Sequence, residues 1–259
     1  MENRLGKIIA VANQKGGVGK TTSSVNLAAA LAGKHKKILI IDSDPQGNAS
    51  SGVGLHLKNR KRHLYHAFTG DAPVADILYN TGVNNLKVVP SSIDLVATDI
   101  ELATVDGRER VLKGLLEDVK NSFDYIFIDC PPSLGLLTIN ALTAADSVLI
   151  PLQCEYFAME GLAQLVSTIR SVKKSYNKNL YIEGLLLTMY DKRNNLTYQV
   201  ADKITEHFQQ QVFKTTIPRN VRLSECPSHG MTIIEYDKFS SGAIAYNALA
   251  NEFLRNQKR

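Results

Sequence analysis

The fold is decided by one glycine-rich stretch, Lys15-Gly16-Gly17-Val18-Gly19-Lys20-Thr21-Thr22. It lies between an apolar run that ends at Asn13 and an amphipathic run that begins near Lys20. Glycines in such a loop let backbone N–H groups point at phosphate oxygens, and the start of the following helix adds partial positive charge. Lys20 is expected to reach the β- and γ-phosphates, and the Thr21 hydroxyl to ligate Mg²⁺. The stretch therefore predicts a phosphate site at a strand-to-helix junction.

The rest of the chain alternates short apolar runs with longer amphipathic ones. Runs rich in Ile, Val and Leu without alternation are typical of strands buried on both faces of a parallel sheet. They occur at Lys7–Asn13, Lys37–Asp42, Leu86–Pro90, Asp124–Cys130, Asp146–Leu152 and Ile182–Met189. Helices are predicted at Thr21–Ala32, Arg108–Val119, Leu134–Ala144, Tyr156–Lys173, Leu196–Gln209 and Ser241–Leu254. This alternation predicts an α/β fold with a doubly wound, mostly parallel central sheet and helices on both faces.

Composition limits the class of protein. The 259 residues are 44% hydrophobic and 21% charged, which is ordinary for a folded chain, and we expect residues 1–259 to form a single domain. The formal charge of +5 is compatible with a polyanionic partner without requiring one. Cys130, Cys154 and Cys226 show no CxxC spacing, so a disulfide framework and a zinc site are not indicated and a cytoplasmic location is expected. We find no signal peptide and no apolar stretch long enough to span a membrane.

Three aspartates follow predicted strands. Asp42 and Asp44 come at the end of one buried strand, and Asp129 ends the most apolar strand of the chain. The carboxyl ends of strands are where an open α/β sheet places the groups that handle ligands. A buried carboxylate at Asp129 is costly unless a cation or hydrogen bonds compensate it, so a Mg²⁺ shell and a structural partner are both open. Asp42 and Asp44 could alternatively cap a turn.

These motifs resemble those of the ParA/Soj/MinD ATPases over about residues 7 to 250. The glycine-rich stretch looks like their deviant Walker A, in which Gln14 replaces the first glycine of G-x-x-x-x-G-K-S/T and Lys15 is the additional lysine. The other matching segments are Asp42–Asn48, Ile128–Ser133, which resembles their Walker B, and Thr216–Glu225, which is similar to the nucleotide-base loop of the Soj branch.

The resemblance implies a set of roles. ATP and Mg²⁺ are the implied cofactors, and Lys15 would cross an ATP-sandwiched homodimer to contact the partner subunit's phosphates. Lys15, Lys20 and Asp44 are the implied catalytic residues, with Asp44 positioning the attacking water. Thr21 and, through water, Asp129 would hold the metal, with a weaker contribution from Asp42 to the loop and metal shell. Nucleotide contacts are implied for Lys15, Gly16, Gly17, Val18, Gly19, Lys20, Thr21, Thr22, Gln46, Pro218 and Asn220.

DNA binding without sequence preference needs several cationic side chains on one face. Arg193 follows the Ile182–Met189 strand, and Arg219 and Arg222 follow a predicted strand at Lys214–Ile217. The resemblance to the Soj branch places Arg193 and Arg222 on a DNA-binding surface, with Arg219 as a weaker candidate. A dense basic run at Lys58–His63 has no support from the resemblance and is interpreted as a solvated loop.

Three functions are weighed. The first is a ParA/Soj-type partitioning ATPase for a chromosome or plasmid, associated with the nucleoid, whose ATP-bound dimer binds double-stranded DNA and is released when a ParB-type partner stimulates hydrolysis. The second is a MinD-like division-site ATPase on a membrane, which would need an amphipathic C-terminal helix. Ser241–Leu254 is alanine-rich and predicted to pack on the body instead, so no membrane partner is expected.

The third, a cluster-dependent reductase, is disfavoured because Cys130 and Cys154 follow strands and are predicted to be small buried hydrophobes. The first strand begins near residue 7, so an N-terminal helix-turn-helix is not expected.

Overall fold

The protein folds around one seven-stranded sheet. The computed structural model describes residues 6–155 and 157–258. Strand order across the sheet is β3-β4-β2-β5-β1-β6-β7, and every neighbouring pair is parallel except β3 with β4. The strands are β1 Lys7–Val11, β2 Ile38–Asp42, β3 Tyr79–Asn80, β4 Leu86–Val89, β5 Tyr125–Asp129, β6 Ser147–Gln153 and β7 Tyr181–Thr188.

Helices connect these strands and cover both faces of the sheet. In the described residues they are α1 Lys20–Ala32, α2 Asn48–Gly52, α3 Leu64–Phe68, α4 Thr98–Glu101, α5 Val111–Leu116, α6 Leu136–Ala144, α7 Ala158–Ser175, α8 Asn195–Phe208, α9 Val221–Glu225, α10 Ile233–Tyr236 and α11 Ser241–Asn256. Short 3-10 turns lie at Leu57–Asn59, Val74–Ile77, Ile93–Ala97, Arg108–Arg110, Lys120–Ser122, Gln209–Gln211 and Cys226–His229.

Each face of the sheet has its own apolar core. Successive strand residues point to opposite faces, so Ile9 and Val11 pack with α1 and α11 while Ile8 and Ala10 pack with α5 to α8. All five residues of β2 and of β5 are buried, as the absence of alternation predicts for central parallel strands. The predicted doubly wound α/β class is confirmed.

The topology brings the predicted site together at one edge. β1, β2 and β5 are parallel neighbours, and Asp129 pairs in register with Val11 on one side and Asp42 on the other. The loops that follow these strands therefore leave the sheet at the same edge, which is where the glycine-rich stretch lies.

Two predicted elements differ from the structure. The strand predicted at Lys214–Ile217 is wrong: none of these four residues belongs to a strand, and the isolated bridges at Val212 and Pro218 flank the segment. Lys214 and Thr215 donate their N–H groups to the carboxylate of Glu252 instead of to a neighbouring strand. The helix predicted at Arg108–Val119 is shorter, a 3-10 turn followed by α5, which ends at Leu116. Two positions lie outside the described residues: Tyr156, where the helix predicted at Tyr156–Lys173 would begin, and Arg259, the final residue of the sequence.

Candidate phosphate site

Left-handed glycines and hydrogen bonds from neighbouring segments define the conformation of the glycine-rich loop. Gly17 and Gly19 have φ values of 74° and 84°, in the left-handed region that favours glycine. The Thr188 hydroxyl at the end of β7 donates to the carbonyl of Val18 over 2.8 Å. Asn13 fixes the loop entrance, since its amide donates to Pro151 O over 2.7 Å and its Oδ1 accepts from the N–H of Lys15. Contacts with the ends of β1, β6 and β7 therefore fix the loop conformation.

Lys20 lies beneath this loop and is 7% exposed. Its Nζ donates to the carbonyl of Lys15 over 3.0 Å, and no carboxylate of a described residue lies within ion-pair distance of it. Burial lowers the pKa of Lys20, while the nearby Asp129 carboxylate opposes that shift. A buried ammonium whose direct bond is to a carbonyl has unused capacity to bind an anion.

Asp129 lies beside the start of α1. It is fully buried and accepts hydrogen bonds from the hydroxyls of Thr21 (2.8 Å) and Ser24 (2.7 Å). Burial raises the pKa of Asp129 to about 7, and the neighbouring Asp42 adds to the shift. The two residues expected to hold the metal, Thr21 and Asp129, are therefore hydrogen-bonded to each other, and their role toward a metal stays a prediction. Ser24 is a partner of Asp129 that sequence reasoning missed.

Asp42 is fully buried and serves the loop that follows β2. Its Oδ2 accepts from the backbone N–H (2.8 Å) and hydroxyl (2.5 Å) of Ser50, and its Oδ1 accepts from the N–H of Asp44. Burial raises the pKa of Asp42 to about 6. These contacts show Asp42 supporting the loop, and its contribution to a metal shell stays a prediction.

Asp44 occupies the turn that Asp42 supports. Its Oδ1 accepts from the N–H of Gln46 over 3.0 Å, and its carbonyl accepts from Gly47 N–H and from the Ser91 hydroxyl. The other carboxylate oxygen accepts no hydrogen bond from a described residue, although the residue is only 7% exposed. That oxygen is available to a ligand or a water molecule.

A cavity of about 600 Å³ connects these groups to the segment after β7. Its lining brings together most residues predicted to contact nucleotide, namely Gly16, Gly17, Gly19, Lys20, Thr21, Thr22, Gln46, Pro218 and Asn220, together with Asp44, Arg219 and Tyr246. Val18 and Lys15 are outside this lining. Arg219, predicted as a weak DNA contact, therefore lies at the cavity, and Thr188 and Pro132 are lining residues that sequence reasoning did not single out.

The Asn220 side chain makes two hydrogen bonds within the chain. Its Oδ1 caps α9 by accepting from Leu223 N–H over 3.2 Å, and its Nδ2 donates to the Ser241 hydroxyl over 2.6 Å. A nucleotide contact from this side chain would have to replace the bond to Ser241. The predicted base contact at Asn220 thus competes with a structural role.

The basic run Lys58–His63 is not a uniformly solvated loop, so that interpretation is wrong for two of its residues. Arg60 and His63 are 8% and 6% exposed. The Arg60 guanidinium donates to the carbonyls of Leu55, Gly47 and Ser91 at 3.0–3.1 Å, and to the Ser51 hydroxyl at 2.7 Å. Gly47 has φ 65°, and a Cβ there would lie 2.2 Å from Arg60 Nη1. Arg60 therefore clamps the loop that carries Asp44.

The two arginines predicted to bind DNA are exposed and paired with acids. Arg193 donates twice to the carboxylate of Asp191, at 3.1 Å each, and these bonds lower the pKa of Asp191 to about 2. Arg222 Nη1 lies 2.9 Å from Glu225. A bridge between Tyr190 and Pro218 joins the two segments, so both arginines leave the same region of the surface. Their binding to DNA stays a prediction.

The C-terminal helix and the cysteines lie as predicted. In α11, Tyr246, Leu249 and Phe253 are at most 1% exposed and belong to the core shared with α1, and the Tyr246 hydroxyl lies 3.2 Å from Ser23 Oγ. Cys130 and Cys154 are buried and unpaired. Within residues 6–155 and 157–258, no helix combines the length and apolar character that crossing a membrane requires.

Known proteins resemble this chain in sequence over most of its length. A family model described as an AAA domain matches residues 6–182. The sporulation initiation inhibitor protein Soj of Bacillus subtilis is 56% identical, covering 97% of this chain and 100% of that protein. The chromosome partitioning protein ParA of Myxococcus xanthus is 51% identical, covering 97% and 89%.

A solved structure shares the whole fold. The cobyrinic acid a,c-diamide synthase of Mycobacterium smegmatis, with bound ATP analogue and magnesium, superposes with a TM-score of 0.86 at 35% identity over 98% of this chain and 96% of that one. The full-length identity to Soj and ParA, together with the deviant glycine-rich loop and the aspartates at the ends of β2 and β5, identifies the chain as a member of the ParA/Soj family of partitioning ATPases.

Proposed function

We propose that the protein binds and hydrolyses Mg·ATP, and that ATP binding pairs two subunits into a dimer that holds DNA without sequence preference. A ParB-type partner then stimulates hydrolysis and releases the dimer, which drives segregation of a chromosome or plasmid. The observation that carries the proposal is the convergence of Lys20, Thr21 and Asp44 on one cavity next to the buried Asp129.

The residues of the cavity fit a triphosphate and one magnesium ion. Lys20 offers a buried cation with no carboxylate partner among the described residues, and Gly17 and Gly19 leave the backbone open toward the cavity. In the described ranges no three His, Cys, Asp or Glu side chains form a ready-made metal site, so Thr21 and the phosphates would hold Mg²⁺, with Asp129 acting through water. The Mycobacterium smegmatis structure, solved with an ATP analogue and magnesium, supports this choice of ligands.

Each residue then has a distinct task in hydrolysis. Magnesium would supply charge neutralisation between the phosphates. Lys20 neutralises the charge that develops on the transferred phosphoryl group, and the open carboxylate oxygen of Asp44 orients the attacking water. Lys15 is exposed on the outer side of the loop, from where it would reach the nucleotide of a second subunit.

Two measurements on the same preparation test the proposal. The first is release of phosphate from ATP in the presence of Mg²⁺. The second is an electrophoretic shift of random-sequence DNA with ATP and with ADP, each at two salt concentrations. We expect a shift with ATP that weakens steeply with salt, and little shift with ADP.

Equal DNA affinity with ATP and ADP would remove the switch from the proposal. Sedimentation with liposomes in ATP distinguishes the MinD-like alternative: co-sedimentation without a DNA shift would favour a membrane ATPase. The burial of α11 against α1 argues against that outcome, because its apolar face is already covered.

A further inference from the structure

The segment that follows β4 has two apolar faces, and one of them is uncovered. Leu95 and Leu102 are buried against the core. Ile93, Val96 and Ile100, at helical spacings of three and four residues, are 62%, 60% and 80% exposed. Single exposed apolar side chains are normal on a soluble protein, but three on one face of a short helical segment form a patch.

This patch is surrounded by negative charge. Between Ser91 and Gly107 the sequence holds four acids, Asp94, Asp99, Glu101 and Asp106, and no Lys, Arg or His, although the whole chain carries a formal charge of +5. Asp94 lies 3.4 Å from His63 Nε2, and burial lowers the pKa of that histidine. Glu101 accepts a hydrogen bond from the Tyr65 hydroxyl.

An open groove of about 410 Å³ lies beside the patch. Asp99, Arg108 and Glu109 line it, and Arg108 Nε lies 3.5 Å from the carboxylate of Glu109. The half-buried Leu136 and Ile139 of α6 provide an apolar wall. The groove thus continues the apolar surface of the patch, with the Asp99 carboxylate at its rim.

The segment is joined directly to the candidate site. The Ser91 hydroxyl donates to the carbonyl of Asp44 over 2.5 Å, and the next residue, Ser92, caps the following turn by accepting from Asp94 N–H. A partner bound two residues further along would therefore act on the backbone that holds Asp44.

We propose that the acidic–apolar face, formed by Ile93, Asp94, Val96, Asp99, Ile100 and Glu101, binds a cationic amphipathic segment of a partner protein. Apolar side chains of that segment would cover the three exposed residues, and its Lys or Arg side chains would meet the acids. A second copy of the chain fits less well, because a twofold contact of this face with itself would place acids opposite acids. The inference rests on the proposed function, since it assigns a surface to the partner that stimulates hydrolysis.

The experiment uses a fluorescein-labelled amphipathic peptide built of Leu and Lys, with a Glu-for-Lys version as the charge control. Anisotropy is measured on the full chain without nucleotide and with ATP, at low and moderate salt. The variants are Ile93→Ser/Ile100→Ser and Asp99→Lys/Glu101→Lys, and the matched control is Ile244→Ser, whose side chain is 61% exposed on α11. Thermal melting checks that each variant folds, as expected for substitutions at exposed positions.

The face variants should bind the cationic peptide at least about tenfold more weakly than wild type, while the Ile244→Ser variant binds it normally. Unchanged binding by both face variants, or binding of the Glu version as tightly as the Lys version, would overturn the inference. Loss of ATP-dependent self-association in Ile93→Ser/Ile100→Ser would overturn it in favour of a second copy. Peptide binding is measured without nucleotide, so it tests the acidic–apolar face independently of ATP hydrolysis. Absence of ATP hydrolysis by wild type would therefore count against the proposed function and leave the peptide result standing.

Discussion

Lys15 forms an ion pair with Glu155, so the lysine at the tip of the glycine-rich loop is tied to the segment that follows β6. Both side chains are nearly half exposed, at 44% and 45%. In the proposed dimer Lys15 reaches the nucleotide of the second subunit, and to do so it must leave Glu155. The ion pair with Glu155 therefore opposes the contact that the proposed dimer requires of Lys15.

Replacing Lys15 with Gln should abolish ATP-dependent pairing while leaving ATP binding by the single subunit nearly unchanged. Replacing Glu155 with Gln should favour pairing, because Lys15 no longer has to break an ion pair before it reaches the second subunit. An exposed ion pair contributes at most about 1 kcal/mol, so the ATP concentration needed for pairing should fall by up to about fivefold. Sedimentation velocity across an ATP titration measures both. Lys36→Gln, which removes a comparably exposed ion pair with Asp124, is the matched control. Pairing by Lys15→Gln at wild-type ATP concentrations would contradict the proposed switch.

Arg60 should act on hydrolysis through the loop of Asp44. A Lys at this position keeps the charge but cannot reach all four acceptors of the guanidinium, so Arg60→Lys should lower kcat by about 10- to 100-fold with ATP affinity little changed. Arg62→Lys, two residues away and exposed, is the control. In an Asp44→Ala background the Arg60→Lys change should have no further effect on kcat. A loss of equal size in that background would show that Arg60 stabilises the fold without positioning Asp44.

The stability of the nucleotide-free protein should fall as pH rises from about 4 to about 7. Burial raises the pKa of Asp129 to about 7 and of Asp42 to about 6, so in this window the folded chain binds more protons than the unfolded chain and loses that advantage as it ionises. Asp129→Asn removes the larger contribution. Its Tm should exceed that of wild type at pH 8, and the difference should shrink toward pH 4. Asp118→Asn, at an exposed position, is the control. A Tm difference between Asp129→Asn and wild type that stays the same from pH 4 to pH 8 would contradict the raised pKa of Asp129.

DNA binding should depend on Arg193 and Arg222 through charge alone. Each Ala substitution should weaken binding to every sequence alike and reduce the slope of log K against log salt by about 1. Filter binding in ATP at several salt concentrations measures the slope. Arg62→Ala removes an exposed arginine elsewhere and should leave the slope unchanged. If the slopes for Arg193→Ala and Arg222→Ala match wild type, the DNA surface lies elsewhere.

The phosphate site could be predicted because its residues follow strands in a strict order. Lys20, Asp42 and Asp129 are tied to strand ends, and parallel strands bring those ends to one edge whatever the intervening loops do. Arg60 could not be found in this way. Its neighbours Lys58, Lys61 and Arg62 are exposed, so the run reads as a solvated loop, and only the fold reveals that one member turns inward.

The errors at the far edge of the sheet have a similar origin. The Lys214–Ile217 segment has the composition of a strand, but two of its N–H groups donate to the carboxylate of Glu252 in α11. A local sequence pattern cannot predict a hydrogen-bond partner so distant in the chain. Ser24 and Ser91 were missed because single serines carry no distinctive spacing, although one bonds to Asp129 and the other to Asp44.

The packing of α11 on α1 also has a consequence for biosynthesis. The helix that begins with Lys20 emerges early from the ribosome, but the side chains that cover it, Tyr246 and Phe253 among them, are translated more than two hundred residues later. Contacts so remote in sequence cannot form until nearly the whole described chain has been released. Because Tyr246 also lines the cavity at the glycine-rich loop, the lining of that cavity is completed only after α11 has been translated.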